Sequence, residues 1–151
     1  MIVERIELTR HEDERGWFSE LARASRLPKP FVQANLSFSR KGVIRGLHFH
    51  ERGQDDVFVC LSGMVRVVVL DRTTGETFTE DIGDDNPVAV YVPGIHAHGY
   101  EALTDAYFAY LVTAEYDAAN PDENTLPWDD DRVRHLWSTS SPILSARDAS
   151  S

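Results

Sequence analysis

Two histidines one residue apart, His48 and His50, stand in the run VIRGLHFHERGQDDVFVCLSG, and a second such pair, His96 and His98, stands in VPGIHAHGY. A neutral imidazole nitrogen is a metal ligand or a proton acceptor near neutral pH. On a strand, residues two apart project from the same face, so His48 and His50 offer two rings to one small ion or substrate. His98 and the carboxylate of Asp56 complete a set that can hold a divalent transition metal with positions left open for water or substrate. Without an ion, the same groups would hydrogen-bond one another in a polar cavity. The residues alone leave both readings standing.

The elements that must position these side chains read as strands. Ile2 to Leu8 alternates apolar and polar; a charged turn over His11 to Gly16 leads to an extended Trp17–Phe18. Leu21 to Leu27 can form a helical turn or two before Pro28 and Pro30 end it. Phe31 to Ser39 and Val43 to His50 are strands joined by the turn Arg40–Lys41–Gly42. Val57 to Leu61 and Met64 to Leu70, joined at Ser62–Gly63, are predicted to form a hairpin. Strands over Glu76 to Ile82, Val88 to Val92 and Tyr107 to Thr113 follow, with Pro93–Gly94 stopping the second of them just before the second histidine pair. From Tyr116 onward the period is lost, and the chain is expected to wrap irregularly around the rest, with Trp128 and Trp137 as packing and Ile143–Leu144 as a docking patch. Many short strands, regular turn signals and little helix predict an all-β fold, a sandwich or a barrel.

Bulk composition narrows the function. A chain of 151 residues is long enough for a core of its own and is predicted to be one domain over 1–151. A net charge of −10 argues against nucleic acid as a partner, because a phosphate backbone needs a basic face. Thirteen of the fifteen basic residues are arginine, which suits bidentate contacts to a phosphorylated small molecule. No basic amphipathic stretch or spanning apolar run predicts a membrane association, and the expected location is the cytoplasm. Cys60, the one cysteine, cannot form an internal disulfide and reads as a small core residue.

The spacing of His48, His50, Asp56 and Gly63, followed by Pro93 and His98, resembles the two motifs of the cupin fold. It implies a jelly-roll barrel with the site in its mouth. A closer resemblance covers nearly the whole chain. DERGWFSE, FVQANLSFSRKGVIRGLHFH, the Gln54 to Leu70 stretch, VPGIHAHGY, FAYLVTAEYDAANPDENTLPWDD and ILSARD are similar, in order, to motifs of the dTDP-4-dehydrorhamnose 3,5-epimerase family. That resemblance implies that His48 is the base removing a proton beside a 4-keto group. It implies that Asp148 is the carboxylate behind the base, and that Tyr110 returns a proton on the opposite face. It also implies nucleotide or sugar contacts at Arg15, Phe18, Glu20, Gln33, Asn35, Arg45 and Tyr116, no required cofactor, and a homodimer with shared sites.

The departures from that family move together. Its lysine near the developing enolate is Asp56 here, its glutamine after the base is His50, and the residue two before its second histidine is His96. An enolate needs a positive group, which an aspartate cannot supply but a metal held by it can. Three readings follow. One is an epimerase of a dTDP-4-keto-6-deoxyhexose at C3, C5 or both. Another is a metal-dependent cupin oxygenase, lyase or cyclase with the metal on His48, His50, Asp56 and His98. The last is a ligand-binding module without a catalyst.

Overall fold

The computed structural model describes residues 2–151. In chain order its strands are β1 (Glu4–Glu7), β2 (His11–Asp13), β3 (Gly16–Phe18), β4 (Gln33–Ser39), β5 (Ile44–Phe49), β6 (Asp56–Ser62), β7 (Met64–Leu70), β8 (Thr77–Gly83), β9 (Val88–Val92), β10 (Ala97–Ala102), β11 (Ala106–Val112) and β12 (Asn124–Thr125). Single 3-10 turns at Ala24–Arg26 and Arg134–Leu136 and one helical turn, α1 (Ala146–Ala149), are the helical elements among the described residues.

Two five-stranded sheets, ordered β1-β9-β6-β11-β4 and β12-β5-β10-β7-β8, form the body, and β2 and β3 make a separate small hairpin. The all-β expectation holds; the jelly-roll barrel does not, because neither sheet closes and each ends on its own edge strands. Valines 65, 67 and 69 of β7 interdigitate with valines 88, 90 and 92 of β9, and Phe58, Tyr100 and Phe108 join the same cluster. Sheets packed face to face through such side chains stand about 10 Å apart, against the 4.7–4.9 Å of hydrogen-bonded neighbours, so strands from opposite sheets cannot bond across the gap.

The predicted hairpin over β6 and β7 fails for the same reason. The two strands belong to opposite sheets, and Ser62–Gly63 arches between them. Gly63 has a φ of +87°, and a Cβ there would lie 2.3 Å from the carbonyl oxygen of Asp105. The glycine read as a hairpin turn is therefore a crossover. Local signals mark that the chain turns there; which strands then pair depends on distant partners.

Both outer faces are covered, which is why β6, β7 and β9 read as nearly continuous apolar runs. Ile6, Leu8, Leu21, Leu27 and Phe31 pack on the outside of the first sheet against Val57, Val59, Tyr91 and Leu111. Leu126, Trp128, Val133, Trp137 and Leu144 pack on the outside of the second, against Ile44, Leu47, Val68 and Leu70. The irregular C-terminal wrap is thus real, and its tryptophans are packing. Its end is pinned by backbone: the Ile44 N–H donates to the Ile143 carbonyl at 3.1 Å, and the Ile143 N–H to the Gly42 carbonyl at 2.9 Å. Cys60 is a free, buried thiol, and burial pushes its pKa up to about 11.

Candidate active site

A cavity of about 630 Å³ opens between the sheets, and His48, His50, Asp56, His98, Tyr110 and Asp148 all line it. Strand β5 brings His48 in directly opposite His98 of β10. The two strands can approach because glycines face each other: a Cβ on Gly46 would meet the Cα of Gly99 at 2.9 Å, and one on Gly99 would meet the carbonyl oxygen of Arg45 at 2.4 Å. His48 and His50 share the cavity face, as strand alternation requires.

Their partners differ. His48 Nε2 lies 2.8 Å from Asp148 Oδ1. Asp148 is buried, lies in α1 and is fixed there: the helical turn is capped by Ser145 Oγ, which accepts from the Asp148 N–H, and the Gly46 N–H donates to Asp148 Oδ2 at 3.1 Å. Burial works to raise the Asp148 carboxyl, but His48, the Gly46 N–H and the charge of Arg147 outweigh it and hold the carboxyl below its ordinary value. An ionised Asp148 takes the Nε2 proton of a neutral His48 as its hydrogen bond, which leaves Nδ1 as the basic nitrogen. Arg147 Nη2 stands 2.9 Å from the same Nε2, and Arg147 Nη1 is anchored to Glu123 Oε2 at 2.7 Å. No sequence signal singles out Arg147; it became part of the site because α1 folds back onto β5.

His50, Asp56 and His98 form a second, deeper group. All three are buried, and one ligand atom from each lies within 4.8 Å of the others. His98 Nε2 is 3.2 Å from Asp56 Oδ2, and His50 Nε2 is 3.6 Å from it. The other ring nitrogens are committed to backbone: His50 Nδ1 donates to the Asp122 carbonyl at 2.6 Å, and His98 Nδ1 to the His96 carbonyl at 2.8 Å. Gln54 Nε2 reaches both Asp56 Oδ1 at 3.0 Å and His50 Nε2 at 3.2 Å. Burial alone would raise the Asp56 carboxyl; hydrogen bonds and charge from His50 and His98 instead hold it well below the usual carboxylate range. For His50, burial lowers the imidazole pKa, while Asp56 and the Asp122 carbonyl outweigh it and raise it.

This group could coordinate a divalent metal, but it is smaller than the four-residue set read from the motifs. His48 stands outside it, turned to Asp148 and Arg147. The motif spacing puts both histidines on one face and cannot tell which carboxylate each will meet. His96 contributes only its carbonyl to this network. The glycine of VPGIH has a strict role, since a Cβ on Gly94 would fall 1.7 Å from the Gln54 carbonyl oxygen. Its N–H donates to Asp55 Oδ1 at 2.9 Å, and its carbonyl accepts from the His50 N–H at 2.7 Å.

Tyr110 of β11 pairs with Asn35 of β4, and burial, then the negative charge of Asp56, raises its phenol. Arg45 lines the cavity, held by Ser39 Oγ at 2.8 Å. The remaining expected contact residues do not line it. Gln33 and Asn35 bond each other at 2.9 Å on the half-buried face of β4. Tyr116, exposed, borders a neighbouring smaller cleft with Gln54 and Asp122. Arg15, paired with Asp13, and Phe18 belong to the outlying β2–β3 hairpin, and Glu20 pairs with Arg23 just beyond it.

The family model described as dTDP-4-dehydrorhamnose 3,5-epimerase matches residues 3–151. The chain is 39% identical over 140 residues to the spore coat polysaccharide biosynthesis protein SpsL of Bacillus subtilis, covering 87% of this chain and 92% of that protein. It is 36% identical over 152 residues to the dTDP-4-dehydrorhamnose 3,5-epimerase of Escherichia coli, covering 90% and 80%. Among solved structures, it is similar to the dTDP-6-deoxy-D-glucose-3,5-epimerase RmlC of Legionella pneumophila in complex with dTDP-4-keto-L-rhamnose. That match has a TM-score of 0.88 at 30% identity and covers 99% of this chain and 86% of that one.

Proposed function

The chain belongs to the dTDP-4-dehydrorhamnose 3,5-epimerase family, as an isomerase, and on that premise we propose which of its residues carry the reaction. The substrate is a dTDP-linked 4-keto-6-deoxyhexose, inverted at C3, C5 or both by enolisation next to the ketone. Family membership favours this reading over the oxygenase, lyase or cyclase and over a catalyst-free binding module.

The observation that carries the assignment is the pairing of His48 with the buried Asp148, facing the same cavity as Tyr110. His48 Nδ1 takes the proton from the carbon beside the ketone, and the C–H electrons move onto the 4-oxygen as an enolate. Asp148 stabilises the imidazolium that forms. The Tyr110 O–H then delivers a proton to the opposite face of that carbon, and His48 and Tyr110 reset by exchange with solvent. Each proton transfer by a positioned group is worth about 10²–10⁴-fold in rate.

Arg45, with Arg15, Gln33 and Asn35, holds the nucleotide diphosphate, and Phe18, Glu20 and Tyr116 contact the nucleoside or sugar. Because Arg15, Phe18 and Glu20 lie away from this chain's own cavity, that assignment requires a homodimer in which the β2–β3 hairpin reaches the partner's site. The exposed Trp17, Phe18, Leu36 and Phe38 support such pairing. The free Cys60 thiol suits a reducing, cytoplasmic compartment.

The test is solvent exchange. Incubated in deuterium oxide with a dTDP-4-keto-6-deoxyhexose, the protein should place deuterium at C3, C5 or both, read by mass spectrometry and NMR. His48→Asn should abolish the exchange. Undiminished exchange in that variant would remove His48 from the role of base.

A further inference from the structure

At the floor of the cavity His50, Asp56 and His98 each turn one ligand atom towards the others, all within 4.8 Å. The Gln54 amide NH₂ donates to Asp56 Oδ1 at 3.0 Å. The same NH₂ then donates to His50 Nε2 at 3.2 Å, which makes that nitrogen an acceptor. His50 Nδ1 carries the proton, given to the Asp122 carbonyl. His98 is fixed in the same way, its Nδ1 proton given to the His96 carbonyl. Two imidazole lone pairs and one carboxylate oxygen therefore face a common point. Backbone carbonyls behind both histidines fix the tautomer and the ring orientation, the arrangement by which ligating histidines are held ready for a metal.

The two separations to the carboxylate fit an ion. Ligand atoms at about 2.0–2.2 Å from one tetrahedral or octahedral centre lie about 3.0–3.6 Å apart. Here the oxygen-to-nitrogen separations are 3.2 Å and 3.6 Å. The donor set, two imidazoles and one carboxylate, suits a divalent first-row transition ion and leaves positions open towards the cavity.

We propose that His50, Asp56 and His98 bind one divalent transition-metal ion per chain, and that this ion supplies the positive charge that the enolate of the epimerisation requires. Asp56 stands where the family resemblance places a lysine. The substitution that removes that cation thus completes a site for another. By motif alone His48 is eligible both as a metal ligand and as the base, and it cannot serve as both. The structure removes the conflict: His48 belongs to Asp148 and remains free to take a proton, while the ion sits on three other residues lining the same cavity. The binding claim stands on the geometry alone; the enolate claim rests on the epimerase reading.

The experiment uses full-length protein purified without a metal-affinity step. Elemental analysis should find close to one transition metal per chain, and Co²⁺ added to chelator-stripped protein should give visible ligand-field absorption that saturates at one equivalent. His98→Ala and His50→Ala should each reduce metal content at least tenfold while circular dichroism stays that of the wild type. His48→Asn should keep the metal and the cobalt spectrum. Deuterium exchange in the substrate is measured on the same samples and should fall on stripping and return with Co²⁺. No metal in the wild type and no saturable cobalt signal overturns the site. Metal bound with exchange indifferent to stripping overturns its role at the enolate. Metal bound with no exchange under any condition leaves the site and removes the epimerase reading beneath it.

Discussion

His48 and His50 lie two residues apart on one cavity face, and the fold gives them opposite employment. His48 sits at the mouth, its side chain 23% exposed, against a carboxylate from the C-terminal helical turn. His50 lies on the floor at 5% exposure, against a carboxylate at the start of the next strand. The mouth pair has one imidazole, one carboxylate and a nearby guanidinium, so a proton can come and go while charge stays balanced. The floor group has two imidazoles whose spare nitrogens are pinned to carbonyls, so its shape is rigid. A pair built to move a proton and a group built to hold a charge differ in what stands behind the ring rather than in the ring itself.

Separate substitutions should pull the two ends apart. The largest effect is expected for His48→Asn, with kcat falling by about 10²–10⁴-fold and metal content unchanged; loss of metal in that variant would merge the two ends into one site. Tyr110→Phe should come next, with turnover down by about 10²-fold. Because His48 still removes the proton, deuterium should continue to enter the unconverted substrate, so a steady-state assay and a wash-in assay should disagree in this variant alone. On the floor, Gly94→Ala forces a Cβ onto the Gln54 carbonyl. A cost of about 1–3 kcal/mol in a denaturant titration is expected from overpacking, together with weakened cobalt binding, because Gly94 braces the backbone of His50.

The smallest effect is electrostatic. The Asp148 carboxyl is held below its ordinary value in the folded chain, so its ionised form stabilises the fold at pH values above the unfolded carboxyl pKa, about 3.9. That contribution is lost as pH falls through the lower, folded value. Stability of the wild type and Asp148→Asn, followed by urea midpoint, should differ most above pH 4 and converge in stronger acid. A difference that grew in acid would mean that Asp148 is not ionised against His48.

Much of this was legible before folding. Alternation on β5 put His48 and His50 on one face, PGIHAH announced a second histidine segment after a stop, and LSARD marked a carboxylate for the base. Patterning also identified strands β4 to β9 to within a residue or two, because β6, β7 and β9 are nearly continuous apolar runs and β4 and β8 alternate. Where the reading failed, the deciding contacts were long-range. Ser62–Gly63 carries the local marks of a hairpin yet crosses from sheet to sheet, and the barrel implied by the cupin-type motifs is an open pair of sheets. Arg147 carries no local mark of its role, because its meeting with His48 spans 99 residues of chain.

The chain's own order of residues determined the inventory: the strands, the histidine pairs, the missing lysine and the family's motifs. Those are consequences of residue type and of a two-residue period, which act over a few positions. Only the tertiary structure decided that His48 stays out of the deeper group, with Asp56 going to His50 and His98, and placed a cavity between sheets packed through Phe58, Tyr100 and Phe108. The reason is geometric. A carboxylate chooses its imidazole by a distance of about 3 Å, and distances of that size between residues 50 or 100 apart are set by how whole sheets pack.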